Sequence, residues 1–431
     1  MPSVQRRWDL IIIGAGIAGL ESARRWIEKH PKGSVAVLEK YGYIGGRMVS
    51  FSRKVNGIDV SWEIGAGRIH SSHKLVRKVI RQVGCNLVPI PAATGFALGD
   101  GVVGAGPFET DLLDPFRGLD KEVLGKKTLR ELTDSSWGSG SSDKFWKGYP
   151  YDAEARLMRA DLALQSFSEE MDSAGRGFSV CAQGLGEVCR RLRASLEKRG
   201  VKFFRETTVL QCSDREGEVE IIASSGSKKK VSSEHSSAVK LWRASQAIFA
   251  VHSSGLAKIR GFEGWPLLKR VAMAPLVRIY GVFPVRAGKP WFSGLGKFVT
   301  DRVVRFFIPI SEEKGVAMIS YTDGVDSEGF LCLGDSEPQK AVDAVMRDLR
   351  LLFPNRSIPD PIFSRVHGWT DGCTYWLPGV YDPKKESIAS HTSHGIKNVF
   401  VVGESFSMRQ AWMEGALEHV EQLFDKHGDG M

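Results

Sequence analysis

Three glycines, Gly14, Gly16 and Gly19, stand between a short apolar run, Trp8–Ile13, and a stretch of helical spacing over 17–30 that Pro31 and Gly33 end. A second run of strand length, 34–38, stops at Glu39, 20 positions after the last glycine. Strand, glycine turn, helix, strand and acid, in that order, make a dinucleotide-binding βαβ unit. Gly14 permits the tight turn, Gly16 lets a pyrophosphate approach the backbone, and Gly19 lets helix and strand pack closely. The helix start offers free N–H groups and a positive dipole end. Glu39 is placed to hold both hydroxyls of an adenosine ribose, which favours a cofactor without a 2′-phosphate. A purely structural turn would need the glycines but not the acid.

The chain has 431 residues, enough for two or three domains, and 42% of them are hydrophobic. That excludes peptide hormones, small disulfide scaffolds and disordered regulators. Fifty-nine Lys and Arg against 50 Asp and Glu leave +9, a balance that attracts anions but fixes no fold. Part of it sits at Lys228, Lys229 and Lys230 in a Ser/Lys-rich stretch, 224–237. No aromatic residues interleave there, so a solvated hairpin tip is expected and no nucleic-acid partner. The six cysteines, Cys85, Cys181, Cys189, Cys212, Cys332 and Cys373, include no C-x-x-C pair. Neither a zinc ribbon nor a disulfide framework is expected, and a reducing compartment, the cytoplasm, is the simpler location. Arg6 and Arg7 precede an apolar run that the glycines break, so no signal peptide is expected. No apolar run reaches 18 residues, which leaves no expected membrane span, and Asp429-Gly430-Met431 is not a peroxisomal tripeptide.

Further along, helices are expected at 151–170, 185–199, 336–353 and 412–424. Strands are expected at 203–211, 247–251, 273–283, 303–310, 317–321 and 399–402. No repeat of solenoid period is present. The last strand enters Gly403-Glu404 and a helix, so the end of the chain completes the nucleotide domain, and the fold is discontinuous.

The chain resembles the flavin-containing amine oxidases, a family that includes monoamine, polyamine and L-amino acid oxidases. The likeness rests on Ile13-Gly14-Ala15-Gly16-Ile17-Ala18-Gly19-Leu20, Leu38-Glu39-Lys40, Gly45-Gly46-Arg47, Glu63-Ile64-Gly65-Ala66, and Val402-Gly403-Glu404 with Trp412-Met413-Glu414-Gly415-Ala416. A plain NAD-dependent enzyme has no reason to carry the later motifs. The resemblance implies an α/β fold in which a Rossmann-like FAD-binding domain (1–75, 172–262 and 366–431) is interleaved with an α+β substrate-binding domain (76–171 and 263–365). It implies FAD contacts from Gly14, Gly16, Ala18, Gly19, Glu39, Lys40, Gly45, Gly46, Arg47, Gly65, Ala66, Gly67, Arg68, Val209, Gly403, Glu404, Trp412 and Met413. Among these, Val209 approaches the adenine, Gly65 and Ala66 pass the isoalloxazine, and Met413 turns its N–H to the flavin O2 edge.

The implied chemistry is oxidation of a C–N bond by hydride transfer to flavin, with O₂ reduced to hydrogen peroxide. Two aromatic residues facing each other guide the amine to the ring. Trp412 takes one place, and Trp376 is favoured over Tyr375 for the other, with core packing as the plain alternative. Lys297 is the candidate for the family's lysine that holds a water at flavin N5, although Arg278 sits where some branches place it. Cys373 is followed by Thr374 and lies close to Pro378-Gly379, unlike the flavin-linking cysteine of monoamine oxidases, so FAD is expected to be non-covalent.

Arg68 divides the substrate classes. It resembles the arginine with which amino acid oxidases grip a carboxylate by a bidentate pair, but an internal acid such as Glu63, or the FAD, is an alternative partner. With no second carboxylate-binding residue identified, a small amine or polyamine leads, with an L-amino acid as the alternative and a non-catalytic FAD-binding protein behind both. His70 and His73 have H-x-x-H spacing, but no further ligands cluster near them; a role in supporting neighbouring site residues or in capping a helix is expected rather than a metal. Oligomeric state is left open.

Overall fold

Trp8–Ile13 is a central strand with five of its six residues buried, which is why it reads as a nearly unbroken apolar run. It pairs in parallel with Val35–Leu38 on one side and Ala238–Phe249 on the other. Lys202–Phe204 and Val399–Val401 extend the sheet, also in parallel. Thr207–Arg215 and Glu218–Ser225 form an antiparallel meander with the first half of Ala238–Phe249, making seven strands in all. The expected helix is Ile17–Lys29. With Leu185–Lys198 and Met413–His427 it covers one face, through Leu20, Ile27, Leu192 and Val420.

This computed structural model describes residues 7–91, 93–97, 99–171, 177–226, 238–333 and 336–428. Arg6, the expected hairpin tip at Lys228 to Lys230, and the C-terminal tripeptide lie outside the described residues. No helix among those described is long and apolar enough to cross a membrane.

A second sheet of seven strands runs Phe363–Trp376, Val271–Val282, Val316–Asp323, Phe306–Ser311, Phe298–Val299, Gly95–Ala97 and Val103–Gly104. Helix Pro338–Leu352 packs on it through Val342, Val345 and Leu349, against Val277 and Ile279. Short helices between 114 and 171 share a core with the first sheet, where Phe145, Trp146 and Phe167 join Phe249 and Trp376. The result is the expected α/β architecture, with two sheets built from interleaved segments.

Several boundaries differ from expectation, each for a local reason. The helix expected at 151–170 is two, Asp152–Leu157 and Ala160–Met171. Between them Arg159 N donates to Trp376 O at 2.9 Å, and its guanidinium pairs with Asp161. The strand expected at 203–211 breaks at Glu206, whose φ of 53° turns the chain from a parallel neighbour into the meander. The expected domain boundary at 75/76 cuts helix Lys74–Gln82, whose Val76, Val79 and Ile80 pack in the nucleotide-domain core. The boundary at 365/366 cuts strand Phe363–Trp376, which pairs with Val271–Val282 from Phe363 to Trp376.

Candidate active site

The glycine turn is as tight as its sequence demands. Gly14 has φ 96°, and a Cβ there would sit 2.5 Å from Ala250 O; one on Gly19 would sit 2.0 Å from Gly14 O. Gly16 is different. Its φ of −74° suits any residue, and a Cβ would meet nothing nearer than Gly45 O at 4.0 Å. Gly45, with φ 121°, donates to Ala15 O at 2.9 Å, so the two glycine loops lie side by side at the helix start, with Ala18 inside the first turn. That turn has no side-chain cap and no acidic residue. Open space over unengaged N–H groups is what a pyrophosphate needs, so the residues fit a flavin dinucleotide. Glu39 accepts from Ala15 N and Tyr41 N, both at 2.8 Å, and burial raises its pKa against those bonds. Lys40 is exposed, with Nζ 5.4 Å from the Tyr41 ring centroid. Val209 is buried on the strand whose Thr207 N donates to Glu39 O at 2.8 Å.

Glu404 ties three segments together. Its Oε2 accepts from Arg47 Nη2 at 2.8 Å and Thr374 Oγ1 at 3.0 Å; its Oε1 accepts from Thr374 N at 3.0 Å and Ala411 N at 2.8 Å. Arg47 Nη1 also donates to Gly372 O at 2.7 Å, and the Arg47 carbonyl accepts from Ala66 N at 2.9 Å. A Cβ on Gly65 would lie 2.1 Å from that carbonyl. Burial opposes the Arg47 charge, and the groups around it, Glu404 foremost, more than restore it. Gly403, at φ 128°, leads into this knot and gives its N–H to His419 Nδ1 at 3.1 Å.

The terminal motif presents a helix start. Trp412 is the N-cap of Met413–His427, so Met413 N–H stands in its first turn. Glu414 reaches across to accept from Leu75 N and Val76 N at 2.8 and 2.9 Å, capping helix Lys74–Gln82. A Cβ on Gly415 would meet Arg409 O at 1.9 Å. His73 is that second helix's N-cap residue and packs edge-on against Trp412, 4.9 Å between centroids; burial pushes its imidazole down to about 3. Among the described residues no group of three His, Cys, Asp or Glu could hold a metal.

Arg68 follows Gly67 into an aromatic box. Its guanidinium carbon lies 5.1 Å from the Phe178 ring, 5.5 Å from Tyr151 and 6.0 Å from Trp412, and Nη2 donates to Tyr151 OH. Phe178 and Trp412 stack with 6.1 Å between centroids and 17° between planes. Tyr151 continues edge-on to Tyr321 at 5.4 Å, and Arg278 lies 4.5 Å over the Tyr321 ring. The wall thus sets two guanidinium groups among aromatic faces.

Two expected placements turn out otherwise. Trp376 is wholly buried, its Nε1 donating to Ser407 O at 3.0 Å, while Phe178 and His73 are the rings against Trp412. Strand alternation explains it: Thr374 and Trp376 face the 404–410 segment, whereas Cys373 and Tyr375 share the charge environment of Tyr321 and Asp323. Tyr375 is itself 4% exposed. Lys297 stands just before strand Phe298–Val299, not on the strand that approaches Gly67. That strand carries Arg278, whose Nη1 is 3.5 Å from Glu63 O and whose Nε is buried without a partner. Sequence reasoning missed Tyr151, Phe178 and Tyr321. None sits in a motif, and separate segments bring them to Arg68, so no spacing could have paired them.

A family model for flavin containing amine oxidoreductases matches residues 17–109 and 111–419. An L-amino-acid oxidase from Siganus canaliculatus is 21% identical over 461 residues, 97% of this chain and 85% of that protein. One from Mus musculus is 38% identical over 80 residues, 18% of this chain and 12% of that protein. A solved putrescine oxidase bound to putrescine superposes with a TM-score of 0.73 at 15% identity, covering 98% of this chain and 99% of that one, a likeness of fold.

Proposed function

The chain belongs to the flavin containing amine oxidoreductases, and on that premise we propose that it oxidises the C–N bond of a small amine beside the aromatic box of Trp412, Phe178 and Tyr151. The single observation that carries this is the chain of contacts from the open Gly16 cradle through the adjoining Gly45–Arg47 loop to Glu404, and from the Arg47 carbonyl to Ala66, two residues before Arg68 in the aromatic box. The chemistry supplied by bound FAD is acceptance of a hydride equivalent from the carbon bearing the nitrogen, the electrons passing to O₂ to give hydrogen peroxide. This chain's residues position and desolvate. Gly14, Gly16, Gly19, Gly45 and Gly46 admit the pyrophosphate, and Glu39 takes the ribose. Met413 N–H, at a helix start, stabilises negative charge near it. Trp412, with Phe178, excludes water and aligns the amine.

FAD is held without a covalent link in this reading. Burial, then the Glu404 charge, pushes the Cys373 thiol up to about 12, which keeps it from acting as a thiolate nucleophile. Flavin that stayed with acid-precipitated polypeptide would show a covalent link. All six cysteines are free thiols, which supports the cytoplasm as the proposed location.

A second reading, oxidation of an α-amino acid, is favoured by Arg68. The residue sits in the box with a tyrosine hydroxyl for company, and among the described residues no carboxylate pairs with it. Peroxide release from the flavin-loaded protein, over mono-, di- and polyamines and amino acids with Arg68→Ala alongside, tests both. Peroxide from amines and from the variant supports the first reading; peroxide from amino acids alone, lost in the variant, supports the second. No peroxide from any substrate would point to a flavin-binding protein without turnover.

A further inference from the structure

His252 stands where three parts of the cofactor cradle converge. Strand Ala238–Phe249 runs parallel to Trp8–Ile13 with Phe249 opposite Ile13, so the loops that follow the two strands leave the sheet at the same edge, where ligands of such sheets bind. Ala250 N donates to Ile13 O at 2.8 Å, and Ala250 O is the atom that a Cβ on Gly14 would strike. Ser253 N donates to Ser405 Oγ at 3.1 Å, next to Glu404. Ser254 Oγ donates to Asp371 Oδ1 at 2.6 Å, next to Gly372, whose carbonyl accepts from Arg47. Contacts to the Gly14 turn, the Glu404 segment and the Arg47 acceptor thus bracket His252 on both sides.

The half-buried imidazole is held by one nitrogen, Nδ1, which lies 2.9 Å from Ser254 Oγ. A serine has one hydroxyl proton and the Asp371 carboxylate is the stronger acceptor for it, so Nδ1–H donates to Oγ and a relay runs from His252 through Ser254 to Asp371. Gly255 N lies 3.2 Å from Nδ1 but 2.9 Å from His252 O, which takes its hydrogen. Among the described residues nothing bonds to Nε2. Burial foremost, then the charges of Arg47 and Lys40, pushes the imidazole down to about 4, with Asp371 and Glu404 pulling the other way. Nε2 of the neutral ring is an acceptor, and it meets a phosphate oxygen only once it is protonated. A bridge that merely tied the loop down would need Ser254 and Asp371 but no imidazole, and Ser253 already ties that loop to Ser405.

We propose that His252 is a cofactor-binding residue whose Nε2 takes a proton from solvent as FAD binds and directs it in a hydrogen bond to the pyrophosphate, with Ser254 and Asp371 as the positioning residues that hold the ring. The proposal rests on the pyrophosphate lying at the Gly16 cradle, and it adds a titrating contact that the glycine motif does not supply. The negative charge of the pyrophosphate offsets the repulsion from Arg47 and Lys40, while Asp371, through Ser254, stabilises the imidazolium. Binding therefore takes up a proton. Affinity falls as pH rises above the imidazole's value of about 4 in the flavin-free protein, until it passes the higher value in the complex, and is constant beyond that.

ADP-ribose carries the same pyrophosphate, esterified at both ends and so with no proton of its own to lose near neutrality, and adenosine lacks it. Calorimetric titration of both into the full chain freed of flavin reads the contact without turnover. The expected result is ADP-ribose binding that weakens about tenfold or more as pH rises from about 5 to about 7 and then levels off. In His252→Gln that binding is expected to be about tenfold weaker at the acid end and flat with pH, while adenosine binds parent and variant alike. Asp371→Asn keeps an acceptor for Ser254 and removes the charge, so its profile is expected to level off at lower pH; a parent-like profile there would remove Asp371 from the relay. FAD, followed by its fluorescence, is expected to track ADP-ribose. ADP-ribose binding with the expected profile where FAD does not bind would sink the flavin reading alone. The His252 contact is overturned by equal affinities in parent and His252→Gln, by a pH profile that survives in that variant, by an equal loss of adenosine binding, or by binding of neither FAD nor ADP-ribose.

Discussion

Arg47 Nη2 lies 2.8 Å from Glu404 Oε2, joining residues 357 positions apart. Glu404 is 7% exposed, and Thr374 and Ala411 supply its other donors. Because all four donors come from the protein, the role proposed for Glu404 at the cofactor is to fix the geometry of Arg47 and Thr374 rather than to make a bond of its own. Glu404→Ala would leave the part-buried Arg47 guanidinium with Gly372 O but without its counter-ion, and two N–H groups without an acceptor. The expected cost is about 3 kcal/mol of stability, with weaker flavin retention. Glu404→Gln keeps an acceptor for the N–H groups and is expected to lose roughly half as much. Urea unfolding of the two variants checks this; equal losses would show that charge alone matters.

Gly16 and Gly19 look alike in the motif but differ in what surrounds them. A Cβ on Gly19 collides with Gly14 O at 2.0 Å, whereas one on Gly16 projects into open space. Gly16→Ala is therefore expected to change apoprotein stability by less than about 1 kcal/mol and to weaken FAD binding about tenfold or more, by filling the pyrophosphate's place. Gly19→Ala is expected to destabilise the apoprotein itself. Thermal unfolding without flavin, beside flavin-fluorescence quenching titrations, separates the two effects. Gly16→Ala apoprotein that melts early would show that the glycine serves the turn rather than the ligand.

The nucleotide half was legible because its constraints are local. A tight turn at Gly14 and an acid at the end of the next strand leave marks within 32 residues, from Trp8 to Glu39. The substrate side was less legible because long-range pairing makes it. Strand Phe363–Trp376 carries Gly368 and Gly372 and alternates weakly, its first half being only partly buried, so no period announces it. Once its 14 residues are known to be a strand, alternation alone separates Tyr375 from Trp376. The aromatic box is drawn from Gly67-Arg68, the loop at Tyr151, strand Phe178–Cys181 and the terminal helix start. Only the first and last of these lie in motifs.

Glu63 carries a pH dependence that its motif does not suggest. Its Oε1 accepts from Leu185 N at 2.7 Å and its Oε2 from Ser50 Oγ at 2.9 Å. Burial pushes the carboxyl up to about 7, from an ordinary 4.5, although both bonds and the charge of Arg278 pull it down. The folded state therefore holds its proton more tightly than the unfolded state. This group's contribution to stability is most favourable below pH 4.5, declines as pH rises towards 7, and is constant above that, after a total loss of about 3 kcal/mol. Glu63→Gln keeps the acceptor for Leu185 N, lets Ser50 accept in place of donating, and removes the ionisation. The variant is expected to match the parent near pH 4.5 and to gain on it steadily up to pH 7, the difference then levelling off. Urea unfolding across that range is the measurement. A difference that stayed constant with pH would show that Glu63 ionises in the folded protein as it does in water.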